Sequence, residues 1–97
     1  MPTGFTLLQN FPNPYNPSTN IKFTMPQEGF VTLRVYDITG RLVGKLLDNA
    51  YYAVGVFDVN FDANAYNLAS GVYLYRLDVN GGGKSVYSQI KKMVLIK

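Results

Sequence analysis

The sequence predicts an all-β domain, and three observations carry the prediction. Short apolar runs recur at intervals of roughly a dozen residues between Gly, Pro and Asn turn signals, the spacing of a sandwich or barrel. Tyr, Phe, Val, Ile and Thr dominate these runs, and such residues suit a pleated, half-buried surface. No window sustains an i, i+3, i+4, i+7 apolar pattern over three turns, so amphipathic helices are not expected. The 97 residues suffice for one core and not for a second.

Phe5 to Leu7 reads as a short opening strand, with Phe5 and Leu7 on one face. Gln9 to Pro17 carries Pro12, Pro14 and Pro17. Proline fixes φ and has no amide donor, so this segment is expected to be an extended or turning arm and not a central strand. Asn20 to Met25 alternates, with Ile21, Phe23 and Met25 facing in and Lys22 and Thr24 facing out. Pro26 closes it. Phe30 to Asp37 alternates again, with Val31, Leu33 and Val35 inward and Thr32, Arg34 and Tyr36 outward. Asp37 to Gly40 is a tight turn in which Gly40 supplies positive φ, and Leu42 to Leu47 is the returning strand.

Gly55 to Asp62 is the cleanest alternation, with Phe57, Val59 and Phe61 in and Asp58, Asn60 and Asp62 out. Ala63 to Ser70 is a loop. Gly71 marks a tight start to the next strand, where a side chain is expected to clash. Val72 to Val79 is apolar on both faces and so central. Asn80 to Gly83 is a hairpin turn. Ser85 to Ile96 is the last strand, with a bulge, because its apolar register is not one clean period. The sum is about seven antiparallel strands, which suits an immunoglobulin-like β-sandwich.

Composition narrows function. The chain has no Cys, no His and no Trp. The usual zinc and iron–sulfur sites therefore have no ligands. The Ser-His-Asp and Cys-His pairings and the commonest general base are also missing. No catalytic residue, metal ligand or cofactor site is nominated, and the chain is not expected to be an enzyme. The net charge is +3, and four of nine bases (Lys84, Lys91, Lys92 and Lys97) fall in the last 14 residues. No basic cluster interleaved with aromatics is present, so no nucleic-acid partner is expected. No apolar run is long enough to span a membrane. Met1 to Gly4 has no charged and then apolar leader. Residues 1–4 are taken as a linker remnant and 5–97 as a single domain, so an export leader would lie elsewhere in a longer parent.

Three constellations have a chemical reading and a plainer one. Asp58, Asn60, Asp62 and Asn64 repeat oxygen ligands as a calcium loop does, but Ala63 and Ala69 stand where such a loop needs Gly and Glu. The polar face of a strand accounts for them better. Asp58 and Asp62 would be roughly 13 Å apart along one strand, too far for a glycosidase pair. Tyr36, Tyr51, Tyr52 and Tyr66 could stack sugars, although tyrosine is also an ordinary strand residue. The basic and apolar end, Ile90 to Lys97, completes a sheet or serves as an address label that a partner reads, for instance by strand addition.

Two stretches carry a family resemblance. The first is Phe5 to Thr19, containing Asn10-Phe11-Pro12-Asn13-Pro14-Tyr15-Asn16-Pro17, with Ile21 and Phe23 after it. The second runs from Phe61-Asp62-Ala63 to Leu68-Ala69-Ser70-Gly71-Val72-Tyr73-Leu74-Tyr75-Arg76-Leu77. Between them stand Val35-Tyr36-Asp37 and Gly40-Arg41, and the chain closes on Lys92-Met93-Val94-Leu95. In this order they resemble the C-terminal sorting domain of the type IX secretion system, type A. Phe61-Asp62-Ala63 departs from the Trp-Asp-Gly of many relatives.

The resemblance implies a non-catalytic tail on a larger cargo protein that is exported through the periplasm to the cell surface or medium. Its implied partners are the outer-membrane translocon, a sortase-like protease that cuts upstream of the fold, and the cargo domain before it. The candidate recognition signal is Lys91, Lys92, Met93, Val94, Leu95, Ile96 and Lys97. Pro12, Asn13, Pro14, Gly40, Gly71, Tyr73, Tyr75 and Arg76 are expected to support the fold or the recognition. Exposed sheet edges allow self-association. A structural spacer and a carbohydrate-binding sandwich of a multidomain secreted enzyme are the alternatives.

Overall fold

The computed structural model describes residues 4–96. Seven strands form among them: β1 (Thr6–Leu7), β2 (Ser18–Met25), β3 (Gly29–Asp37), β4 (Leu42–Tyr52), β5 (Gly55–Asp62), β6 (Gly71–Gly81) and β7 (Lys84–Leu95). They make a three-stranded antiparallel sheet, β1-β2-β5, and a four-stranded antiparallel sheet, β4-β3-β6-β7. This is an immunoglobulin-like arrangement with the fourth strand on the larger sheet.

Alternation explains the layering. Ile21, Phe23 and Met25 of β2 face Val31, Leu33 and Val35 of β3 and Tyr75, Leu77 and Val79 of β6 across the core, and all nine are fully buried. Aromatic rings seal both ends between the sheets. Tyr52 of β4 meets Phe23 and Phe57 edge-on at 5.2 and 4.8 Å. At the other end Phe61 lies between Tyr15 at 6.1 Å and Tyr66 at 5.4 Å. Phe5 stacks on Tyr87 at 5.3 Å and closes the side where β1 approaches β7. Such ring pairs add about 0.5–1.5 kcal/mol each beyond the area they bury.

The structure extends or amends several expectations. The β4 strand continues to Tyr52, five residues past Leu47, because bulges along β3–β4 absorb its irregular pattern. The Ala63–Ser70 segment contains a 3₁₀ turn, Ala63–Tyr66, capped by the Asp62 carboxylate, which accepts from the Asn64 amide at 2.9 Å. The bulge expected in the last strand is at Val86, where the β6–β7 register steps by one residue. At Gly71 the steric reason was wrong. A Cβ there would meet nothing within 4 Å, and the demand comes from the backbone, with φ at +156°. Gly40 has the expected positive φ, +90°.

Tyr73 opens β6, and its hydroxyl donates to the Ala69 carbonyl four residues upstream at 2.6 Å. This is the tyrosine corner of immunoglobulin-like sandwiches. It pins the β5–β6 connection to the strand that leaves it. Removing only the hydroxyl leaves the Ala69 carbonyl without that donor. Tyr73→Phe should therefore lose about 1–2 kcal/mol, read as a lower urea midpoint at an unchanged m-value.

Candidate functional site

The C-terminal half of β7 and the proline arm form one unit. Along β7, Met93 and Leu95 point into the core and are 0% and 1% exposed. Lys92 and Ile96 are exposed, and Lys91 and Val94 are half-buried. Lys97 lies outside the described residues. The candidate signal is thus split by strand alternation: Met93 and Leu95 anchor the end, and Lys92 and Ile96 are presented to solvent.

The edge of β7 facing away from β6 is occupied by the arm. The Tyr15 amide donates to the Val94 carbonyl at 2.9 Å, and the Ile96 amide donates to the Tyr15 carbonyl at 2.9 Å. This is a one-rung parallel bridge between Tyr15 and Leu95. The Asn13 side-chain oxygen takes the Val94 amide at 3.0 Å, standing in for a backbone carbonyl. Gln9 Nε2 donates to the Lys92 carbonyl at 2.6 Å. Pro12, Pro14 and Pro17 offer no amide, so the arm has few donors to present to a further strand.

Buried polar groups hold the arm in turn. The Tyr75 hydroxyl accepts from the Asn10 amide and donates to the Leu8 carbonyl, both at 2.8 Å. Burial pushes its pKa up to about 12, so it keeps its proton and both bonds. Tyr75 stands two residues after the corner tyrosine, where antibody domains place a cysteine of the inter-sheet disulfide. Here, without cysteine, a hydroxyl does the tying. Asn10 Nδ2 reaches the Pro12 carbonyl at 3.1 Å and Thr19 Oγ1 at 3.0 Å, while the Thr19 hydroxyl donates to Pro12 at 2.8 Å. Asn10 and Thr19 are 2% and 0% exposed.

Of the remaining nominated residues, Arg76 sits on the outer face of the larger sheet, directly opposite Arg34. Asp78 reconciles the two cations by accepting from Arg76 at 3.0 Å, Arg34 at 3.3 Å and Ser88 at 2.8 Å. Gly40 lies in the β3–β4 turn. There one Asp37 oxygen accepts from the Thr39 and Arg41 amides at 2.9 and 3.0 Å. The Thr39 hydroxyl and those amides hold the Asp37 carboxyl below its ordinary range. Asp37 pairs with Tyr73, and Tyr73 with Met93, so this turn, the Gly71 strand start and the chain's end share one end of the sheet. Ile38, Leu42 and Ile96 are exposed there. Among the tyrosines weighed for sugar stacking, Tyr52 and Tyr66 are half-buried in the end clusters, and Tyr51 is exposed against Phe30. The residues that reading the sequence missed are Gln9, Asn10, Tyr15 and Thr19. Their signal was the polar and aromatic content interleaved with the prolines.

Tyr15 is 1% exposed, and its hydroxyl has no hydrogen-bond partner among the described residues. Tyr15→Phe should therefore hold or raise stability by up to about 1 kcal/mol, while Tyr15→Ala should cost about 3–5 kcal/mol. Burial also raises its pKa. The folded chain then keeps a proton that the unfolded chain gives up, so stability is full below about pH 10 and falls above it. Tyr15→Phe should make that alkaline loss shallower in denaturation curves. Separately, Asn13→Ala leaves the Val94 amide without its acceptor. Its hydrogen exchange should quicken roughly tenfold while core amides stay protected.

The comparisons with known proteins agree with this fold. Residues 9–96 match the family described as the secretion system C-terminal sorting domain. The fold matches a chain of dimeric latent PorU from Porphyromonas gingivalis, at 28% identity and TM-score 0.74, over 93% of this chain and 9% of that one. It also matches PorZ, a surface component of the type IX secretion system of the same bacterium, at 21% identity and TM-score 0.54, over 97% of this chain and 12% of that one. The chain thus spans about a tenth of the length of these solved proteins. No curated relative matches it. With its seven strands, its proline arm and its match over residues 9–96, the chain belongs to the C-terminal sorting domains of the type IX secretion system, the signal tails that mark proteins for the cell surface or medium.

Proposed function

We propose that the sorting signal of this domain lies in the clamped C-terminal strand, with Lys92 and Ile96 as its exposed register, Val94 half-buried between them, and Lys91 and Lys97 as flanking charges in the sequence. One observation carries the reading: the arm fixes the end of β7 by four hydrogen bonds from Gln9, Asn13 and Tyr15. Residues 92–96 are thereby held in one conformation at the rim, and a partner meets them without an ordering cost. The outer-membrane translocon is the proposed reader. A sortase-like protease is the proposed processor, cutting upstream of Phe5 and releasing the cargo domain. The domain is the substrate in both encounters and catalyses neither. Gly71, Tyr73 and Tyr75 support the fold, and Arg76 belongs to the outer face beside β7. Self-association through sheet edges is left to β1, β4, β5 and the part of β7 before Lys92, since the arm covers the end of β7. No observation favours the spacer or the tyrosine platform.

The test is secretion of a fluorescent reporter fused ahead of residues 1–97, behind a periplasmic signal peptide, in a host with a type IX system. Ending the fusion at Gln89 removes Met93 and Leu95 from the core and so mixes folding with recognition. Lys92→Glu combined with Ile96→Ser keeps both anchors. The full tail should bring the reporter to the surface or medium, and the double variant should stay periplasmic while remaining protease-resistant. Undiminished export of the folded double variant would remove these side chains from the signal.

A further inference from the structure

On the outer face of the three-stranded sheet the arm leaves an open cleft of about 430 Å³, lined by Leu8, Gln9, Phe11, Asn20, Lys22 and Asp58. Its shape follows from a break in the pairing. The Leu8 amide donates to the Lys22 carbonyl at 3.0 Å, and Phe11 pairs with Asn20 through two bonds of 3.0 Å. Between them Gln9 and Asn10 leave the sheet. Asn10 turns into the core and Gln9 reaches β7. Leu8 and Phe11 are left standing as two walls over the polar faces of β2 and β5.

Three features of the lining point to a ligand. Phe11 is 79% exposed, the least covered of the large apolar side chains, although water is a poor solvent for a bare ring. Lys22 and Asp58 stand directly opposite each other in the β2–β5 register, yet among the described residues their side chains form no ion pair and no hydrogen bond. Asn20 accepts from Asn60 at 3.1 Å and keeps its own amide hydrogens unengaged.

We propose that this cleft binds a neutral saccharide, a role separate from the export signal, although Gln9 borders both. The charges decide the class. Asp58 repels a phosphate or sulfate, and Lys22 repels a metal ion or an ammonium group. An apolar peptide would cover both charges and satisfy neither, a costly burial. A sugar ring satisfies all of them. Its C–H face lies against Phe11, its hydroxyls donate to the Asp58 carboxylate, and its oxygens accept from the Lys22 ammonium and the Asn20 amide. The volume is that of an ordinary small-ligand site. The surface involved contains no tyrosine and is distinct from the Phe30–Tyr51 ledge.

The test is a titration of the isotope-labelled 97-residue chain with maltoheptaose, mannohexaose and chitohexaose, to about 10 mM. At least one should shift the amides of Phe11, Asn20, Lys22 and Asp58. Phe11→Ala and Asp58→Asn should each weaken that binding roughly tenfold. Both side chains are exposed, so the rest of the spectrum should stay unchanged. Lys22→Gln gives a third reading of the same site should Phe11→Ala disturb the arm. The proposal is overturned by silence with all three sugars, by shifts confined to Phe30 and Tyr51, or by full affinity in either Phe11→Ala or Asp58→Asn.

Discussion

The Tyr75 hydroxyl, bonded on one side to the Asn10 amide and on the other to the Leu8 carbonyl, is the constraint on which the far edge of the molecule rests. A segment with three prolines cannot hold itself in a sheet, because it lacks the donors for a continuous ladder. It has to be fixed by side chains. Tyr75 fixes its beginning, Asn10 and Thr19 its middle, and Phe61 packs against the Tyr15 ring near its end. Once fixed, the arm uses its few remaining polar groups on Lys92, Val94 and Ile96. The first part of the chain therefore sets the position of the last.

The same logic explains how a sandwich of this size does without a disulfide. Domains of about a hundred residues bury a modest fraction of their surface and are often stapled when secreted. Here tyrosines take that work. Their rings fill the gap between the sheets, and their hydroxyls tie connections that hydrophobic packing alone would leave loose: Tyr73 to Ala69, Tyr75 to Leu8 and Asn10, and Tyr87 to the Leu7 amide. A cross-link made of packed rings and hydrogen bonds is weaker than a covalent one, but it needs no oxidant and forms as the core forms. Tyr15 is the exception: its ring packs, and its hydroxyl has no partner among the described residues.

Much of this was legible in the sequence. Two-residue periodicity placed Ile21, Phe23 and Met25, and Phe57, Val59 and Phe61, on the correct faces, because a strand offers only two. The turn at Gly40 was legible because positive φ has a residue preference. The length of β4 was not. Its apolar residues are displaced by bulges, and a bulge shifts the faces without leaving a residue type behind. The arm was legible as an arm and illegible as a clamp. Its partners are more than sixty residues away in the chain, and no local pattern encodes which strand edge will be empty. Gly71 was singled out correctly and explained wrongly, since from sequence alone a steric and a conformational need for glycine look alike.

The burial of Met93 and Leu95 has a consequence for any signal at the end of this chain. Lys92 and Ile96 are separated by an anchor, a half-buried valine and a second anchor, so their side chains come to one side only when β7 is paired with β6 and clamped by the arm. In an extended, unfolded tail the same residues rotate freely, and the apolar pair between them is exposed alongside. A reader that contacts Lys92 and Ile96 and excludes Met93 and Leu95 therefore distinguishes folded from unfolded without a separate sensor. Pairing energy, side-chain alternation and arm contacts are all needed to present that register, so for such a reader a defect in any of them would weaken recognition in proportion to the fraction of chains it unfolds.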